Sequence, residues 1–179
     1  IKTIDIDGTQ QLCRMLSFLE GRFLGDIVPN ENLTEHIGRF IAKMNLKLKG
    51  INNYILKSRE WKWDLQYFHL NQDYLQYIKN PRDRSLVRYF FQQYKSNVRD
   101  VIPKLRKQII HNDVNEWNLL IKDNVVLGLI DFGDVTHAPL INEVAIAITY
   151  IAYDKPNPLE WAKNVLIGYH EVIPLLEEE

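Results

Sequence analysis

The chain has 179 residues, about one domain's worth, and 46% hydrophobic with 25% charged residues can bury one sizeable core. Its 22 Lys and Arg are balanced by 23 Asp and Glu, which argues against nucleic-acid binding through overall basicity. Its one cysteine, Cys13, allows neither an internal disulfide nor a cysteine-built zinc site, and no membrane span or signal peptide is legible, so a reducing, cytoplasmic setting is expected.

Residues 1–6 alternate apolar and polar, Asp7-Gly8 is a tight-turn signal, and 12–19 is a second apolar-rich run, so 1–20 reads as a β-hairpin. Residue 1 is Ile, in what reads as mid-strand, so the sequence reads as a segment of a longer protein. Gly21, Gly25 and Pro29 punctuate a connector. From Asn32, Leu33, Ile37, Phe40/Ile41, Met44 and Leu48 recur every three or four residues, which predicts an amphipathic helix ending at Gly50. Residues 52–62 read as a loop, and 64–78 as a shorter helix capped by Asp64. After Asn80-Pro81 a longer helix is predicted, burying Val87, Phe90/Phe91, Tyr94, Val98 and Val101 and ending at Pro103. Ile109-Ile110 leads into the polar stretch 111–118. Two short strands, 119–121 and 125–130, follow around a 122–124 turn. The run 144–151 is apolar nearly all round, as for a buried helix, and a last helix over 158–170 precedes an acidic tail.

The chemistry gathers around the 119–130 hairpin. Its open ends meet, so Asn118, just before the first strand, and Asp131, just after the second, are neighbours. Asp113, five residues before Asn118, can loop back to the same place. Two carboxylates and an amide oxygen then converge on one point, a hard-oxygen site suited to Mg²⁺, and Asp113 is spare to receive a hydroxyl proton. The spacing His-x-Asp-x-x-x-x-Asn, with Asp-Phe-Gly beginning thirteen residues after the Asn, has the parts that phosphoryl transfer requires.

These residues resemble a known family. HNDVNEWNLL and LGLIDFGD are similar to the catalytic lobe of the aminoglycoside phosphotransferase and choline kinase family, protein-kinase-like enzymes that phosphorylate small molecules. RMLSFLEG (14–21) is similar to that family's hinge. Asn115-Glu116, THAPLINEVAIAITY and GYHEVIPLLEEE look most like its hydroxylysine-kinase-like branch, which includes domains fused to class III aminotransferases. The resemblance implies an α+β fold: a mostly helical protein-kinase-like C-terminal lobe over 22–179, with 1–21 a remnant of the N-terminal lobe and hinge. It implies Asp113 as catalytic base, Asn118 and Asp131 as Mg²⁺ ligands, the backbone of Ser17 and Leu19 as the reader of adenine, and His111 as a structural member of the catalytic loop. ATP and Mg²⁺ are then the expected donor and cofactor. Asn112 stands where most of the family has Gly, a change that Asn's tolerance of positive φ accommodates. The Gly-x-Gly-x-x-Gly loop and phosphate-binding Lys do not occur; in the family they lie upstream of the segment matching Ile1. The chain thus holds about half of an ATP site and is expected to turn over poorly by itself.

The expected function is transfer of the γ-phosphoryl group of ATP to the hydroxyl of a small amino alcohol, hydroxylysine-like or ethanolamine-like. Asp134 and Glu116, with Glu143 a further candidate, would make an acidic pocket for a substrate ammonium, or else serve as caps, loop stabilisers or plain solvated charges. Trp61, Trp63 and Trp117 could wall a cation or simply pack. The competing reading is a non-catalytic regulatory or interaction domain of a larger protein. The branch resemblance implies, beside the small-molecule substrate, a PLP-dependent aminotransferase-like domain as a fused or associated partner. A protein kinase needs a longer activation segment than this chain provides, with Pro139 only eight positions after Asp131.

Overall fold

Asp7 and Gly8 both take positive φ, 52° and 79°, the backbone that lets a two-residue turn follow the twist of its strands. Asp5 Oδ1 accepts from the Gly8 N–H at 2.9 Å and fixes the turn. In the computed structural model, which describes residues 1–179, β1 (Lys2–Ile6) therefore pairs antiparallel with β2 (Thr9–Cys13). All ten strand residues are exposed, so the ribbon stands clear of the body. The second strand stops at Cys13, and 14–20 is irregular rather than a continuation of it.

After β3 (Arg22–Phe23) comes α1 (Glu31–Leu48), started by Asn30, whose side chain accepts from Leu33 N at 2.9 Å. Leu33, Ile37 and Ile41 are wholly buried on one face, as their spacing predicts. Within the segment read as loop, Asn53 caps a single helical turn, α2 (Tyr54–Ser58). Residues Leu65–Tyr77 do follow an Asp64 cap, but as tight 3₁₀ turns kinked at Tyr67 (φ −109°, ψ 23°), not as an α-helix. The reason is tertiary: Asp64 is fully buried and ties this segment to Thr136 through a 3.1 Å hydrogen bond. α3 (Pro81–Gln93) gives way to one wide turn at Tyr94–Val98 before Pro103. Of its predicted buried face, Phe91 and Tyr94 are inside while Phe90 and Val98 are exposed.

β4 (Lys107–Ile110) begins the part that carries the site. Next come β5 (Leu119–Lys122) and β6 (Val125–Leu129), an antiparallel hairpin whose turn residues Asp123 and Asn124 both have positive φ. β3 pairs with β5 on its other edge, giving the order β3-β5-β6. β7 (Thr136–Pro139) returns antiparallel to β4, with Ile110 opposite Thr136. Neither β4 nor β7 is legible in the sequence, since each is four residues long and its partner is distant.

α4 (Leu140–Ala152) buries Leu140, Glu143, Val144, Ala147 and Ile151, while Ala145 and Tyr150 are exposed. It is a one-sided helix, not one buried all round. α5 (Pro158–Val172) crosses α1 at two glycines, Gly38 and Gly168, where backbone meets backbone. Asn45 Nδ2 donates to Tyr169 Oη across this contact at 3.1 Å. One core of 19 buried residues joins α1, α4 and α5 to the two sheets around the site. No helix is long and apolar enough to cross a membrane.

Candidate active site

The chain leaves β4 at His111 and reverses through Asn112, whose φ of 69° is the left-handed turn that its amide tolerates. His111 is fully buried. Its Nδ1 accepts from the Asp113 N–H at 3.2 Å, so Nε2 carries the proton and donates to Ile130 O at 3.0 Å. Burial pushes the imidazole pKa down, against the pull of the Ile130 carbonyl and of Asp113, Asp131 and Asp134. The ring also packs edge-on against Phe132, centroids 4.6 Å apart. His111 thus braces the loop as a neutral group.

Asn118 meets Asp113 directly: its Nδ2 donates to Asp113 Oδ2 and to Asp113 O, both at 2.8 Å. Asn115 Nδ2 donates to the other oxygen, Asp113 Oδ1, at 2.9 Å. Two amides therefore fix the carboxylate plane. The backbone of Asn118 accepts from Ile130 N at 3.0 Å, so the residue after Ile130, Asp131, sits at the same hairpin mouth. Asp131 is left-handed (φ 60°) and its Oδ1 accepts from Gly133 N at 3.2 Å. Asp134 belongs to this group too. Partial burial, then the charges of Asp113 and Asp131, raise its pKa above the usual carboxylate range, with Arg59 and His111 opposing.

Because Asn118 spends its NH₂ on Asp113, its Oδ1 is left without a protein donor. Asp131 likewise keeps Oδ2 free. No three His, Cys, Asp or Glu side chains form a closed cage. The donors are hard oxygens on an open rim, which suits Mg²⁺, a cation that keeps waters and takes phosphate oxygens alongside one or two carboxylates.

Ser17 and Leu19 line an apolar cavity of about 860 Å³ with Phe18, Phe23, Leu129 and Ile130, and Asp131 and Phe132 lie on its wall. Gly128 makes room for the Leu19 side chain: a Cβ there would come within 2.7 Å of Leu19 Cδ1. Glu116 lies elsewhere, in a cavity of about 170 Å³ with Tyr150 and Lys155, and its Oε2 is buried without a partner. Trp117 packs edge-on against Phe23, centroids 6.1 Å apart, and against the open face of Gly25. Packing accounts for it without any cation.

Glu143 takes the loop-stabilising alternative of its sequence reading and not the substrate-binding one. It has no exposure and cannot meet a substrate. From α4 it accepts the N–H of His111 at 2.6 Å and of Asn112 at 2.9 Å, clasping the loop that carries Asp113. Burial pushes its carboxyl up to about 7, against the pull of those two N–H groups. Between the ordinary value of 4.5 and 7 the unfolded chain loses this proton while the folded one keeps it. Stability therefore falls as pH rises through that window, by about 3 kcal/mol in all. Glu143→Gln, which cannot ionise, should remove this slope, at a cost of roughly 1–3 kcal/mol for the N–H left unpaired. Buried His111 imposes the opposite slope, so the readout is wild type minus variant in urea unfolding between pH 4 and 8. A difference that does not change with pH would assign the proton to another group.

Residues 2–178 match the phosphotransferase enzyme family, APH, and the chain belongs to that family. It is 30% identical over 180 residues to hydroxylysine kinase of Bos taurus, covering 94% of this chain and 48% of that protein. Hydroxylysine kinase of Danio rerio is 28% identical over 181 residues, with 96% and 51% covered. The chain thus spans about half the length of these relatives. Among solved structures, amicoumacin kinase hAmiN in complex with AMP-PNP, Ca²⁺ and Ami superposes with a TM-score of 0.59 at 18% identity, covering 89% of this chain and 48% of that one. The gentamicin–APH(2")-IIa complex gives 0.56 at 16%, covering 88% and 55%. The fold is that of the protein-kinase-like phosphotransferases.

Proposed function

We propose that this chain is the catalytic-lobe half of an ATP-dependent kinase that phosphorylates the hydroxyl of a small amino alcohol of the hydroxylysine kind. The supporting observation is the meeting of Asp113, Asn118 and Asp131 at the mouth of the β5–β6 hairpin, beside an apolar cavity wide enough for a purine. Residues 1–21 are the end of the N-terminal lobe and the hinge, and 22–179 the catalytic lobe. In this reading Ser17 and Leu19 present backbone groups to adenine. Asn118 Oδ1 and Asp131 would hold Mg²⁺, which would supply positive charge to neutralise the phosphates.

Asp113, aligned by Asn115 and Asn118, orients the acceptor hydroxyl and takes its proton on a carboxylate oxygen as the new O–P bond forms and the bond from the γ-phosphorus to the β,γ-bridging oxygen breaks, releasing ADP with that oxygen. His111 and Glu143 touch no substrate; they hold the loop. Asp134 supplies negative charge for the acceptor's ammonium. The hydroxylysine kinases among the relatives favour an acceptor of that kind.

The test is ATP consumption by the intact protein against a panel of amino alcohols, with Mg²⁺ titrated. Asp131→Ala should lower kcat/KM by at least ~10²-fold and weaken MgATP binding, because the phosphates lose a charged metal ligand. If the intact protein binds MgATP yet phosphorylates nothing in the panel, the regulatory-domain reading replaces this one.

A further inference from the structure

A cleft built only to attract an ammonium would gain by being negative throughout, yet this one has a guanidinium at its edge. Arg59 follows α2 and is half-buried. Its Nη1 donates to Val135 O at 3.3 Å, one residue beyond Asp134, and its Cζ lies over the Trp61 ring, 2.9 Å from the centroid. It forms a salt bridge with none of the nearby carboxylates, and Nη1 is its only nitrogen with a protein acceptor. The segment that carries it is anchored at the site: Asn112 Nδ2 donates to Trp63 O at 3.4 Å, and Asp64 accepts from Thr136 Oγ1 at 3.1 Å.

A stacked guanidinium with free N–H donors is pre-organised for a planar anion, since its fork matches the two oxygens of a carboxylate. The aromatic face holds it in place, so little entropy is lost when that anion arrives. Arg59 also acts on Asp134, offsetting part of the influence of Asp113 and Asp131. The site is therefore dipolar: acidic at Asp113, Asp131 and Asp134, and cationic at Arg59. A dipolar site selects a zwitterion over a simple cation.

We propose that Arg59 binds the carboxylate of an amino-acid acceptor whose ammonium is taken by Asp134. The inference rests on the kinase reading above and adds to it the residue that reads the acceptor's carboxylate.

The experiment uses the intact protein and two matched pairs of probes. The reactive pair is 5-hydroxylysine and its decarboxylated counterpart, 1,5-diamino-2-pentanol; the unreactive pair is lysine and cadaverine, followed by calorimetry. Wild type should prefer the carboxylate-bearing member of each pair by about 10- to 100-fold, the span that losing a charged hydrogen bond implies. Arg59→Gln should abolish this preference by raising KM for 5-hydroxylysine, leaving kcat, the decarboxylated probe and MgATP affinity near their wild-type values. Arg59→Lys should restore part of it.

Equal losses on both members of a pair would make Arg59 a structural cap of Val135 and overturn the assignment. A drop in MgATP affinity would give Arg59 to the phosphates and overturn it equally. The lysine and cadaverine arm needs no turnover, so it decides the role of Arg59 separately from whether the protein is a kinase. Thermal unfolding of Arg59→Gln at the wild-type temperature establishes that the variant is folded.

Discussion

Replacing Asp113 by Asn should lower kcat of the intact protein about 10²–10⁴-fold, the range of positioned proton transfer, and leave MgATP affinity almost unchanged. The proposed metal donors explain the split. Asn118 Oδ1 and Asp131 Oδ2 are not hydrogen-bonded to Asp113, so the nucleotide side of the site survives the change. What goes is the only carboxylate that Asn115 and Asn118 jointly align. An Asn at 113 must also turn its NH₂ toward one of those two amide donors, at 2.9 or 2.8 Å, which costs alignment besides basicity. Asp113→Ala, free of that donor–donor conflict, should lose a comparable factor. Turnover within threefold of wild type in both variants would remove Asp113 from the proton path, and nucleotide titration of the same samples separates binding from chemistry.

Gly168→Ala should destabilise the fold by about 3 kcal/mol, the upper part of the range for overpacking, and lower Tm by roughly 10 °C for a domain of this size. A Cβ at 168 would lie 1.9 Å from Glu35 O, and one at Gly38 would lie 2.1 Å from Val165 O. Both obstacles are backbone, so no rotamer change relieves them and α1 and α5 must part. Parting them strains the Asn45–Tyr169 hydrogen bond, which is buried between the helices. The gain in helix propensity from Gly to Ala, about 1 kcal/mol, is too small to reverse the sign. The double variant Gly38→Ala/Gly168→Ala should cost less than the sum of the two, because one separation relieves both clashes. Urea and thermal unfolding measure this, and single variants as stable as wild type would mean that the helices have another way to seat.

What was legible in the sequence is what local chemistry determines. Asp7-Gly8 and Asp123-Asn124 fix their turns through positive φ, and Asn30 starts α1 with its own side chain. The hairpin then forces Asn118 and Asp131 together, which made the core of the site readable. The remainder depended on distant partners. β4 and β7 exist because Lys107–Ile110 finds Thr136–Pro139, and nothing in either tetrapeptide announces the other. The 64–78 segment is bent by where Asp64 is buried, not by its own period. Glu143 looked like a surface charge because an acid near the start of a helix ordinarily is one. Arg59 gave no signal at all, being one cation in a polar stretch.

Glu143 also joins two things that a mutational history would otherwise treat separately. The amides of His111 and Asn112 hang from α4, and α4 is fixed by Val144, Ala147 and Ile151 packing in the core. A residue such as Val144 approaches no substrate, yet its volume sets where Glu143 stands and so where the loop before Asp113 is pinned. If the proposed function holds, changes along that buried face are tested twice, once by whether the chain folds and again by whether the protein turns over. Val144→Ala, even where the fold tolerates it, is then expected to lower the rate of the intact protein by shifting that pin.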